Sequence, residues 1–141
     1  EYEMRGVPLR LEVGPKDIEK NQVVLVKREN REKIFVSMDE LEERIPQILD
    51  EIQTSLFKKA LAHREERTFV AKNLDEMERI LNETPGFIKA MWCGDEECEK
   101  AVKDRMAATA RCIPFEQERV SDTCVCCGKE AKHMLYWGRA Y

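Results

Sequence analysis

Cysteine supplies the first chemical signal in this chain of 141 residues, which contains six of them. Four fall into two short-spaced pairs, Cys93-Gly-Asp-Glu-Glu-Cys98 and Cys124-Val-Cys126-Cys127-Gly128. Each pair can offer two thiolates from one tight turn. The glycine after Cys127 lets the backbone wrap an ion, and four thiolates close a tetrahedral sphere that has no open position. Such a sphere is structural rather than catalytic, and zinc is the ion that prefers it. The ligand set is read as Cys93, Cys98, Cys124 and Cys127. Cys126 competes for the last place, and Gly128 favours Cys127. Two other readings stay open: separate buried thiols, or a redox pair at Cys124 and Cys127. A redox C-x-x-C opens a helix, however, whereas this one precedes an apolar strand. Cys112 has apolar neighbours in a strand and is expected in the core, and His133 is expected to be an ordinary strand residue.

Hydrophobic residues make up 43% and charged residues 37% of the chain, which suits a folded protein with a heavily solvated exterior. No apolar run approaches the roughly 20 residues of a membrane span, and the first residues have neither the basic start nor the apolar centre of a signal peptide. A soluble, cytoplasmic protein with no membrane partner is expected. Six thiols without a secretory signal then point to ligation or catalysis rather than a disulfide framework. The chain starts at Glu1 and enters a strand almost at once, as if cut from something longer. Its formal net charge of −4 gives no bulk attraction to DNA or RNA, so any RNA contact needs a local basic surface.

The elements that must position these groups follow from periodicity. Residues 7–13 alternate, with Val7, Leu9, Leu11 and Val13 on one face of a half-buried strand. Residues 16–21 read as a polar turn. Residues 23–26 are apolar on both faces, as a central strand covered on both sides would be, and residues 33–36 return as its hairpin partner. Ser37 and Glu40 form a capping-box pattern ahead of a long amphipathic helix through Leu41, Ile45, Ile48, Leu49, Ile52 and Leu56, which Pro46 is expected to kink or divide. The polar run at residues 63–67 is taken as the boundary between two units. Beyond it, residues 68–71, 87–92 and 111–114 read as strands. One helix is capped by Asn73 and stopped by Pro85-Gly86, and a second is capped by Asp95 and runs to about residue 107. A last strand covers residues 134–137. The fold class is α/β (α+β), with a β-α-β-α-β second unit stapled by metal.

Several segments in one order resemble the C-terminal part of prolyl-tRNA synthetases of the archaeal/eukaryotic type. They are Arg5-Gly-Val-Pro-Leu-Arg-Leu-Glu-Val-Gly-Pro-Lys-Asp17, Cys93-Gly-Asp-Glu-Glu-Cys98, Arg111-Cys-Ile-Pro-Phe115, Cys124-x-x-Cys127-Gly-Lys129 and Gly138-Arg-Ala-Tyr141. The resemblance implies the second part of an anticodon-binding domain at residues 1–64 and a zinc-containing C-terminal domain at residues 65–141. It places the family's zinc ligands on Cys93, Cys98, Cys124 and Cys127, and its anticodon contacts on Glu3, Arg10, Lys16, Asp17 and Lys33. Carboxylates suit guanine N1 and N2, and Arg or Lys suits O6 and N7. It also implies that Tyr141, at the family's chain end, helps order the aminoacylation site. ATP and Mg2+ belong to an upstream catalytic domain, and the whole ligase charges tRNA(Pro) as a homodimer. These residues alone are expected to be catalytically inactive.

Two rival readings of a different class remain. One is a free-standing zinc module that binds RNA or protein. The other is a thiol enzyme using Cys112, against which neither histidine stands near that cysteine in sequence as a base.

Overall fold

In a computed structural model, described here over residues 1–140, the chain divides into two compact units, Glu1–Ala62 and His63–Tyr141. Each is a mixed α/β assembly. Tyr141 lies outside the described residues. Among the described residues, no helix is long and apolar enough to cross a membrane.

The first unit is an antiparallel sheet of β1 (Leu9–Glu12), β2 (Gln22–Lys27) and β3 (Lys33–Ser37), with β2 in the centre. A short helix α1 (Pro15–Glu19) joins β1 to β2 where the sequence suggests only a polar turn. Pro15 supplies the helical φ, and Asp17 accepts the Gly14 N–H at 2.9 Å, which caps the turn from within. After β3, a 3-10 turn (Met38–Glu40) leads into α2 (Leu41–Glu66). Ser37 caps this start by accepting the Asp39 N–H at 3.3 Å, one residue earlier than a capping box would place it. Pro46 lies inside α2 without ending it. Proline so near a helix start removes a single hydrogen bond.

Ile48 and Ile52 of α2 pack with Val23, Leu25 and Val36. Their register pairs Leu25 with Leu11 and Ile34, and Val23 with Val36, so one face of the sheet carries the core. The helix covers β2 and β3 better than the edge strand. Leu9 reaches the core, but Leu11 is 45% exposed and Val7 and Val13 are exposed as well, which corrects the expectation that this face is half-buried throughout. Lys27 is buried on the α2 face and bonds Glu51 at 3.1 Å and Glu32 at 3.2 Å. Burial presses its ammonium down, yet these two carboxylates outweigh that and raise its pKa. The opposite face is largely bare. Val26 is buried there, but Phe35 is 65% exposed, so β2 is not covered on both sides as its apolar run suggests.

The second unit orders its strands β4 (Thr68–Val70), β5 (Phe87–Trp92), β7 (His133–Arg139) and β6 (Ala108–Cys112). β4 is parallel to β5, and β7 is antiparallel to both β5 and β6. Helices α3 (Leu74–Glu83) and α4 (Glu96–Met106) contribute Met77, Leu81, Val102 and Met106 to a core with Ile88, Ala90, Leu135 and Trp137 of the sheet. Asn73 caps α3 through the Glu76 N–H at 2.9 Å, and Asp95 caps α4 through the Glu97 N–H at 3.1 Å, as their spacing predicts. Arg139 holds the far ends of both helices. Its guanidinium donates to Met106 O at 2.7 Å and Leu81 O at 3.2 Å, supplying donors to helix-end carbonyls that have no intrahelical donor, and to the Asn82 side-chain Oδ1 at 2.9 Å.

β6 begins three residues before the expected strand at 111–114, and its pairing with β7 shifts register between Ala110 and Cys112. That shift carries Cys112 to the strand end, where it is exposed, not in the core as expected. It lines an open cavity of about 600 Å3 beside Val70, Phe87, Lys89, Arg111 and Tyr136.

Candidate metal centre and nucleic-acid interface

All four thiols predicted as ligands meet at one end of the second sheet. Cys93 follows the last residue of β5, Cys98 sits in the first turn of α4, and Cys124 and Cys127 belong to the knuckle that leads into β7. Because Trp92 pairs with His133, the end of β5 and the start of β7 lie side by side. The knuckle is tied there by Val125 N–H to Met91 O and Lys132 N–H to Trp92 O, each at 2.8 Å. Within it, Cys124 N–H donates to Lys129 O at 2.8 Å, and Gly128 N–H donates to Cys124 O at 3.1 Å. Gly128 has φ +71, a left-handed turn that a residue with a side chain adopts only with strain.

The sulfur atoms of Cys93, Cys98, Cys124 and Cys127 lie within 4.8 Å of one another, with Cys93 Sγ 3.7 Å from Cys98 Sγ and 3.8 Å from Cys127 Sγ. A tetrahedron with metal–sulfur bonds of about 2.3 Å has edges of about 3.8 Å, so the Cys93–Cys98 and Cys93–Cys127 separations match such a sphere and the cluster could hold a metal ion. Cys93, Cys98 and Cys124 are buried and Cys127 is exposed. Burial pushes the Cys93 and Cys98 thiols above the usual thiol range, whereas the Lys129 N–H brings Cys127 down to about 7. Buried thiols held this close resist ionising together unless a cation is among them. Cys126 packs against the cluster with Trp92 but is not one of the four. His133 is exposed in β7 with its ring 6.5 Å from that of Trp92, and takes no place in the cluster.

The charged residues of the first unit fall into two groups. Glu3 accepts from Arg10 at 3.2 Å and from Arg31 at 2.8 Å, Arg10 also bonds Glu12 at 2.7 Å, and Lys33 stands 3.8 Å from Glu12. Arg10 and Lys33 both pair with Val26, from opposite sides of β2, so they flank it on the face that α2 leaves bare. Asp17 belongs elsewhere. Its carboxylate accepts the Gln22 amide at 3.1 Å as well as the Gly14 N–H, and these bonds hold its pKa below the ordinary range. Lys16 is exposed on α1, with no ion pair among the described residues. The structure therefore brings together Glu3, Arg10 and Lys33, and sets Lys16 and Asp17 apart from them. Sequence reasoning misses Glu12 and Arg31. Glu12 had a signal, since it lies two residues from Arg10 on the same strand face; Arg31 in the turn had none.

A charged sheet face in one unit and a four-thiol cluster that could hold a metal ion in the other define a mixed α/β protein. Residues 74–141 match the family described as "Prolyl-tRNA synthetase, C-terminal", and residues 1–48 match "Anticodon binding domain". The whole chain is 64% identical to proline–tRNA ligase of Clostridium novyi and 62% identical to proline–tRNA ligase 2 of Bacillus cereus, covering 30% of each. A crystal structure of prolyl-tRNA synthetase from Cryptosporidium parvum, complexed with L-proline and AMP, aligns over 99% of this chain and 30% of its own, with a TM-score of 0.89 and 37% identity. Over its whole length the chain is similar to the C-terminal part of prolyl-tRNA synthetases. It spans 30% of the length of the curated relatives it matches.

Proposed function

We propose that this chain is the anticodon-reading and zinc-stapled part of a cytoplasmic proline–tRNA ligase, which joins proline to tRNA(Pro) at the expense of ATP. Residues 1–64 belong to the anticodon-binding domain and residues 65–141 form the zinc-containing domain. A catalytic domain of the same ligase binds ATP and Mg2+, the ligase works as a homodimer, and Tyr141 helps order its aminoacylation site. Zinc held by Cys93, Cys98, Cys124 and Cys127 has a structural role only, because four thiolates leave no position for water or substrate.

One observation carries the recognition reading: donors and acceptors stand side by side on a sheet face that the unit's own helix leaves uncovered. Glu3 and Asp17 accept from guanine N1 and N2, while Arg10, Lys16 and Lys33 donate to O6, N7 or phosphate. The bonds among Glu3, Arg10 and Arg31 do not obstruct this. Solvent-exposed ion pairs contribute about 0–1 kcal/mol, so exchanging one for a base edge costs little. Binding of a tRNA(Pro) anticodon stem-loop to the full-length enzyme tests the reading by fluorescence anisotropy. Arg10→Ala and Lys16→Ala are expected to weaken binding by about 1–3 kcal/mol each. Unchanged affinity in both variants would contradict it.

A further inference from the structure

Between the two charged groups of the first unit lies Phe35, large, apolar and exposed, which no assignment so far uses. The pairing register fixes its surroundings. Phe35 is opposite Val24, and Val24 is opposite Glu12 on its other side. Along β3 the same face carries Lys33 and Ser37, and Ser37 is opposite Gln22, whose amide bonds Asp17. One step along the sheet, Lys33 and Arg10 flank Val26. Phe35 thus stands midway between the Arg10–Glu12–Lys33 group and the Asp17–Gln22 group, on the face away from α2. Its ring borders a cavity of about 270 Å3 that Lys20, Asn21, Gln22 and Ser37 also line. The ring is 65% exposed, although burying such a side chain is among the larger favourable terms a small unit has available.

We infer that Phe35 is the stacking platform for an unstacked base of the anticodon, with Lys20, Asn21 and Gln22 lining the same recess. The inference rests on the proposal that this unit reads an anticodon, and adds to it the group that binds a base by its face rather than its edge. Sequence-specific readers of single-stranded RNA combine these two contacts: aromatic rings stack on splayed bases, and polar groups take their edges. The charges found by sequence supply only the second. Stacking is indifferent to salt, whereas contacts to phosphate are not, so the two kinds of contact have different signatures.

The test is stem-loop binding by the full-length enzyme at several salt concentrations, with F35A, F35L, F35Y and R10A beside the wild type. F35A is expected to weaken binding on the order of tenfold, with the salt slope unchanged. F35Y restores most of the affinity and F35L does not, since leucine keeps the apolar bulk without a π face. Melting temperature and tRNA-independent proline activation are measured on each variant; a lowered melting temperature in F35A and F35Y would make the ring part of the full-length enzyme's own packing and overturn the stacking role. Wild-type affinity in F35A beside a weakened R10A overturns the stacking role alone. Full rescue by F35L overturns it too, leaving a simple apolar contact. Wild-type affinity in both R10A and F35A removes the anticodon reading and the stacking role together.

Discussion

Cys127 is the exposed member of a thiol set whose other three cysteines are buried, yet ligation rather than burial decides how the centre responds to substitution. Metal binding free energy, on the order of 10 kcal/mol in small thiolate sites, is also folding free energy. Serine at Cys93, Cys98, Cys124 or Cys127 is therefore expected to lose the ion and unfold the second unit, even though Cys127 contributes little to packing. Cys126→Ser keeps the ion, because its sulfur lies outside the set of four, and Cys112→Ser at an exposed strand end changes stability by no more than about 0.5 kcal/mol. Metal content per chain, measured by mass spectrometry on each purified variant, decides the matter. Loss on Cys126→Ser with retention on Cys127→Ser would reassign the knuckle ligand. The same scale explains what spacing alone left open. The Cys-x-x-Cys-Gly geometry is local, so the knuckle was legible, but the choice between adjacent cysteines depends on which sulfur the turn at Gly128 directs inward.

Helix α4 is held at both ends by devices of different quality. Its start has Asp95 and a first turn rich in acidic residues, which the positive end of the helix favours. Its end turns through Ala107 at φ +55, with the Ala107 N–H donating to Lys103 O at 2.8 Å. A left-handed alanine costs roughly 1–2 kcal/mol, and glycine returns roughly 0.5–1 kcal/mol of that through its greater freedom when unfolded. Ala107→Gly is thus expected to stabilise the second unit by about 0.5–1 kcal/mol in urea unfolding; a destabilised variant would show that Ala107 packs in a way its backbone angle hides. Elements whose signals are local, such as α3 with its Asn73 cap or β5 with its apolar run, were legible in the sequence. Those decided by partners were not. α1 lay hidden where residues 16–21 read as a polar turn, β6 begins earlier and pairs with β7 through a register shift, and Leu11 of β1 stayed exposed because α2 covers β2 and β3 better than the edge strand.

At the scale of the whole molecule, the units divide the work. One has a small core under a single helix and presents charges and an aromatic ring on its bare face. The other is closed by a buried core, an arginine across two helix ends, and a thiol cluster sized for one ion. Removing recognition side chains from the first unit should therefore leave folding and metal content intact. The most direct measurement of the central claim is charging by the full-length enzyme carrying Arg10→Ala. Its kcat/KM is compared for tRNA(Pro) and for a tRNA(Pro) with altered anticodon guanines, with tRNA-independent proline activation as the control. The account predicts normal activation, weaker charging of tRNA(Pro), and a loss of about 1–3 kcal/mol in discrimination between the two tRNAs. Charging of both tRNAs at the wild-type ratio would contradict it, and would leave these side chains as solvated charges on an unused face.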